Sequence, residues 1–279
     1  MPDDNPIVPR KVGELTKVGS KGNPILDTMV KDALQLAKES SELSEDAEVQ
    51  FKCKNLEKAV RDALEMPEGT IRRRDMLRLE KLQYGGWDKK SEPVLELDQQ
   101  VTDLSGLEHA QNLRRLELTY NQIEDIEPLR DMTQLEYLYL YYNQIEDIEP
   151  LKDMTRLEIL ALLHNQIEDI SPLRNLTQLE VLSLLHNQIE DIEPLRKLTQ
   201  LWDLNLGENK IVDIEPLRKL TQLERLVLWR NQIKDITPLK DLTQLKELDL
   251  DQNPLTKEQI ANLQKALPKC NIRFLHARR

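Results

Sequence analysis

Apolar and polar positions along most of the chain repeat with a period of 22 residues. Asn121, Asn143, Asn165, Asn187, Asn209, Asn231 and Asn253 mark the same point of successive units, each carrying the frame LxxLxLxxNQIEDIxPLxxLTQ with small variations. An earlier stretch, VLELDQQVTDLSGLEHAQN, fits the frame with one residue missing, Gln99 or Gln100 standing at the Asn position. Eight units are therefore expected over residues 92–253. Within a unit, Leu116 and Leu118 alternate with polar residues, as in a short strand buried on one face. Leu113, Ile123, Ile126 and Leu129 supply further inward positions, but one coil is too short to enclose a core, so the coils must stack and share one. The Asn at the strand end has a side-chain amide able to satisfy backbone groups of neighbouring turns. Pro128, Pro150, Pro172, Pro194, Pro216 and Pro238 predict a back that is extended or 3₁₀ instead of α-helical.

A stack of coils needs capped ends. Residues 254–279 are expected to form the C-terminal cap. There Thr256 and Gln259 make a capping box, Ile260, Leu263 and Leu267 an inner stripe, Pro268 a stop and Cys270–Phe274 a last strand, with Cys270 as a small buried residue. Upstream, residues 23–91 predict a helical flank. Leu56, Ala59, Val60, Ala63 and Leu64 share a helical face that ends at Pro67 and Gly69; a further helix is expected over 26–40, and 85–93 as a loop in which Trp87 packs on the first coil. Residues 1–22 predict a disordered tail.

The NQIEDIxPLxxLTQL frame, over about residues 92–275, resembles the bacterial leucine-rich repeats of the internalin type and, more loosely, those of phosphatase-regulating repeat proteins. The segments 54–82 and NPLTKEQIANLQKALPKCNIRF resemble the helical flank and the tail of the same bacterial proteins. Arg72 stands where such flanks place Ser or Thr to cap the next helix. The resemblance implies an α/β solenoid, a leucine-rich-repeat horseshoe with a parallel sheet on its concave face and helical caps at both ends.

Against so regular a frame, the variable columns are informative. The outward strand positions and the residue before each Asn change from unit to unit while their neighbours repeat. Five of six tyrosines (Tyr120, Tyr137, Tyr139, Tyr141, Tyr142) and two of three tryptophans (Trp202, Trp229) fall in these slots, about an eighth of the chain. Ile159, Leu163, Val181, Leu185 and Val227 extend the aromatics into an apolar patch, with His164, His186 and Arg230 beside it. Tyr, Trp and Arg dominate binding hot spots, and monomers rarely leave such a patch unused. These fifteen residues are the candidate site for a protein or peptide partner. His164 and His186, flanked by Tyr142 and Glu208, also suit zinc by residue type, but the variability of their column favours contact residues. Outside, a basic ladder (Arg130, Lys152, Arg174, Arg196, Arg218, Lys240) runs beside an acidic one (Asp125, Asp147, Asp169, Asp191, Asp213, Asp235), which reads as a solvated face whose Asp bond turn amides.

Composition narrows the function. Asp and Glu exceed Lys and Arg by 50 to 39, a net charge of −11, which argues against nucleic-acid binding. No run is long and apolar enough for membrane insertion, and the first residues lack the apolar core of a secretory signal, so a cytoplasmic protein is expected unless a signal was removed. Two cysteines, Cys53 and Cys270, make no disulfide framework. No phosphate loop, GxSxG, HExxH or Cys–His pairing is present, so neither catalysis nor a cofactor is expected. The expected function is non-enzymatic protein binding on the concave face. A regulatory subunit docking on an enzyme such as a phosphatase, a carbohydrate or small-ligand receptor, a surface adhesin and an engineered repeat scaffold are the alternatives.

Overall fold

The computed structural model describes residues 45–85 and 97–275. The chain divides into two units, 1–46 and 47–279, of which the second holds the repeats and their caps. The expected tail, the helix over 26–40 and Trp87 lie outside the described residues.

Among the described residues, nine three-residue strands form one parallel sheet in sequence order: β1 (Lys81–Gln83), β2 (Arg115–Glu117), β3 (Tyr137–Tyr139), β4 (Ile159–Ala161), β5 (Val181–Ser183), β6 (Asp203–Asn205), β7 (Arg225–Val227), β8 (Glu247–Asp249) and β9 (Asn271–Arg273). Seven are one repeat apart, so the register pairs like with like: Leu116, Leu138, Leu160, Leu182, Leu204, Leu226 and Leu248 form one row. Behind it, leucines, isoleucines and three methionines (Met76, Met132, Met154) help close a single core that runs from Val49 to Cys270. The backs of six coils are short 3₁₀ turns around their Pro, such as Glu127–Leu129 and Ser171–Asn175, while the first coil makes its 3₁₀ turn at Leu107–His109 without one.

Asparagine holds the coils together. The Oδ1 of Asn143 accepts the Ile123 N–H of the preceding coil at 3.0 Å, and its Nδ2 donates to the Leu118 and Leu140 carbonyls at 2.9 Å. The Oδ1 bond recurs at all seven Asn, from Val101 N–H on Asn121 to Ile233 N–H on Asn253. A buried turn thus has its backbone groups satisfied by a side chain from the next coil.

The edge strand departs from the expected frame. Lys81–Gln83 pairs with Arg115–Glu117 as the edge strand. The rest of the first coil is in frame, because Val101 meets Asn121 as Ile123 meets Asn143. The first coil therefore takes its strand from the flank, with extra residues between strand and turn. Gly85 permits this: its φ is +95°, and a Cβ there would lie 2.2 Å from the Thr119 carbonyl oxygen.

The caps follow their sequence signals. α1 (Lys54–Leu64) buries Leu56, Ala59, Val60 and Leu64 and ends at Glu65 in the left-handed region. Ala63, expected on the same face, is exposed, since it lies at the margin of the stripe that packs on the first coil. α2 (Arg73–Met76) starts without a Ser or Thr cap; instead the Asp75 carboxylate accepts the Arg72 N–H at 2.9 Å. α3 (Lys257–Ala266) has its capping box, Gln259 N–H on Thr256 Oγ1 at 3.2 Å and Thr256 N–H on Gln259 Oε1 at 2.8 Å. Cys270 is buried and its thiol is pushed up to about 11, consistent with a structural role.

Candidate functional site on the sheet face

Three outward columns cover the sheet, at the positions of Arg115, Glu117 and Thr119 and their repeats. The central column is small over the middle coils: Ala161, Ser183 and Asn205. In the third column Tyr141, Leu163 and Leu185 are half-buried, and the next position is Gly207. The indole of Trp229 lies over that glycine, because a Cβ on Gly207 would come within 2.5 Å of Trp229 Nε1 and 3.0 Å of Leu185 Cδ1. Leaving out one side chain lets Trp229 reach back one coil and join the strip. The Arg230 guanidinium sits 5.1 Å from the Trp229 ring centroid.

Tyr137, Tyr139, Ile159 and Val181 add half-buried surface beside the strip. Tyr139 carries the Arg115 guanidinium over its ring at 4.7 Å, and the Tyr137 hydroxyl donates to Glu158 at 2.8 Å. Trp202 stands at the strand-entry edge and is 42% exposed, the largest apolar side chain left so open among the described residues. Tyr120 and Val227, at 8% and 7% exposed, are buried and offer little surface themselves.

The column before each Asn differs from the strand surface expected of it. Tyr120, Tyr142, His164, His186, Glu208, Arg230 and Gln252 all have φ between 49° and 58°, in the left-handed region. A non-glycine residue there costs about 1–2 kcal/mol. Continued backbone bonding offsets it, for example Tyr142 N–H to the Leu163 carbonyl at 3.0 Å and His186 N–H to that of Gly207 at 2.9 Å. So do the side chains, which the turn aims along the strand-exit edge. Tyr120 stacks on Tyr142 at 4.2 Å, Tyr142 on His164 at 4.0 Å, and His164 meets His186 at 4.4 Å. His186 Nδ1 is 3.0 Å from Glu208, which pairs with Arg230, and Arg230 donates to Gln252 at 3.0 Å. Seven side chains form one ladder across seven coils.

Electrostatics follow from the ladder. Burial, with His186 adding to it, lowers the His164 pKa. Burial opposes the Glu208 carboxylate, but hydrogen bonds from Arg230 and His186 outweigh it and hold its pKa below the usual value. The stacked imidazoles present faces to each other, and Glu208 is engaged by Arg230. Among the described residues no three His, Cys, Asp or Glu converge as metal ligands do.

On the outer surface, Arg130, Lys152, Arg196 and Arg218 pair with Glu127, Glu149, Glu193 and Glu215, three residues earlier, at 2.5–2.6 Å. Each Asp of the acidic ladder accepts the amide two residues on, as Asp125 does from Glu127 at 2.7 Å. The acidic ladder and four of the six cations are thus occupied within their own turns, while Arg174 and Lys240 follow Ser171 and Thr237 where the others follow Glu.

The leucine-rich-repeat family model matches residues 133–175, 177–219, 203–240 and 221–265. Internalin C2 from Listeria monocytogenes is 30% identical, with a TM-score of 0.70 over 81% of this chain and 94% of its own. The chain belongs to the internalin-type leucine-rich-repeat proteins. Two more distant structures share the fold at 24% identity. A leucine-rich-repeat protein of Leptospira interrogans has a TM-score of 0.50 over 64% of this chain and 60% of its own. The leucine-rich-repeat ectodomain of a plant membrane receptor kinase from Arabidopsis thaliana, solved in complex with Casparian strip integrity factor 2, has 0.53 over 62% and 22%. No curated protein matches the chain. Among the described residues, no helix of this internalin-type protein is long and apolar enough to cross a membrane.

Proposed function

We propose that this internalin-type chain is a non-enzymatic interaction module that binds a protein partner on the sheet face, centred on Tyr141, Leu163, Leu185 and Trp229. One observation carries the reading: Gly207 makes room for Trp229 to extend an aliphatic and aromatic strip across neighbouring coils. A continuous apolar strip on a surface otherwise rich in charge is what partner hot spots look like. The plant ectodomain of like fold, in complex with a separate factor, is an instance of such a solenoid holding a ligand.

Two of the rings are engaged within the chain and so less open to carbohydrate stacking. Tyr142 has Tyr120 on one side and His164 on the other, and Tyr139 is covered by Arg115. The protein reading holds equally for a cytoplasmic regulatory subunit and for a surface adhesin, which fractionation of the native cell separates. Tyr141→Ala or Trp229→Ala should weaken partner binding by ~2 kcal/mol each with unfolding unchanged. Parent-like binding by both variants removes the strip from the interface.

A further inference from the structure

The charges around the strip point to the chemistry of the partner, an inference that rests on the protein-binding reading above. We propose that the sheet face takes an amphipathic protein segment with Lys or Arg along one side. Its apolar side chains lie on the Tyr141, Leu163, Leu185 and Trp229 strip, and its cations meet Glu158 and Glu180.

These two glutamates belong to the column at the strand-entry edge: Arg114, Glu136, Glu158, Glu180, Trp202, Glu224 and Lys246. The ends of the column are neutralised within the chain, Arg114 with Glu136 at 3.1 Å and Lys246 with Glu224 at 2.6 Å. The middle is not. Glu158 accepts only the neutral Tyr137 hydroxyl through Oε2, and Glu180 has no ion pair among the described residues. Elsewhere on the sheet face ion pairs join Arg115 with Glu117 at 3.2 Å, Arg225 with Asp203 at 3.0 Å and Glu247 at 3.6 Å, and Arg273 with Asp251 at 2.7 Å. The unmatched carboxylates thus fall on the same coils as Leu163 and Leu185, next in sequence to the half-buried Ile159 and Val181 that flank the strip. One coil earlier, Tyr139 carries the Arg115 guanidinium over its ring. Negative charge beside apolar surface selects a partner that is positive beside apolar surface, and sets its orientation.

Synthetic amphipathic helices of Leu with Lys, Leu with Gln or Leu with Glu test this, titrated into the full chain by calorimetry. A length of roughly 18 residues spans about 27 Å, enough to cover strands β3 to β7, which lie about 4.8 Å apart. The Leu/Lys helix should bind, the Leu/Glu helix should not, and Tyr141→Ala should weaken the Leu/Lys complex. The Glu158→Gln/Glu180→Gln pair should weaken it about five- to tenfold. Glu146→Gln/Glu168→Gln, the same charge change on exposed turns away from the strip, should alter it less than about twofold. Equal losses from the two pairs overturn the proposal in favour of bulk charge attraction, and so does a Leu/Gln helix that binds as tightly. If Tyr141→Ala still weakens that complex, the sheet-face reading stands and only the partner's charge is wrong. Binding indifferent to Tyr141→Ala and Trp229→Ala overturns both.

Discussion

Asn165→Ala is the most direct perturbation of the fold's inter-coil bonding. Asn165 is 7% exposed, accepts the Ile145 N–H at 3.0 Å, and donates to the Leu140 and Leu162 carbonyls at 3.1 and 3.0 Å. The three bonds are not equally replaceable. Asn143 also donates to the Leu140 carbonyl, and Asn187 also donates to that of Leu162, so both oxygens keep a partner after truncation. Only the Ile145 amide is orphaned. A buried unsatisfied N–H costs about 1–3 kcal/mol, and loss of shared donation adds to it, giving a destabilisation of about 2–3 kcal/mol. Asn165→Asp keeps the acceptor but turns a carboxylate oxygen towards two carbonyls in a buried site, so it should cost about 3 kcal/mol or more. Urea unfolding gives both values, and amide exchange should quicken more at Ile145 than at Ile123, whose Asn143 is intact. An alanine variant within about 0.5 kcal/mol of the parent, or an Asp variant better than Ala, refutes the role assigned to the ladder.

Three further outcomes are expected at the site. The His164 pKa is lowered from 6.5, so the unfolded chain binds that proton first and stability falls as pH drops below 6.5; unfolding of His164→Gln against pH should lack this upper step. Glu208, held below 4.5, adds stability that is present above that value and lost as pH falls through its folded pKa, so Glu208→Gln should flatten the lower step. Gly207→Ala, whose Cβ would fall 2.5 Å from Trp229 Nε1, should shift Trp229 emission when Trp87 and Trp202 are Phe, and weaken partner binding with little change in unfolding.

The coils were legible because each structural requirement recurs at a fixed interval. Leucine alternation located the strands, Pro located the 3₁₀ turns, and Asn located the inter-coil bonds. The edge strand was not legible: Lys81–Gln83 has one buried residue, and no periodicity links it to Arg115. The strand-exit ladder was misplaced for a backbone reason. Tyr, His, Glu and Arg carry no signal for positive φ, so Tyr120 and its counterparts look like strand-surface residues. Gly207 had a signal, as one of 8 glycines and the only one among the seven Asn-bearing repeats, but its meaning depends on where the Trp229 ring lies. Glu158 and Glu180 were invisible as a pair because their distinction is the absence of the cations that neutralise Glu136 and Glu224.

The central claim, partner binding on the sheet face, is tested most directly by affinity capture from the native cell. The baits are the parent chain and a Tyr141→Ala/Trp229→Ala variant matched to it in unfolding. The account predicts a protein retained by the parent and lost from the variant. The same protein retained equally by both would contradict it.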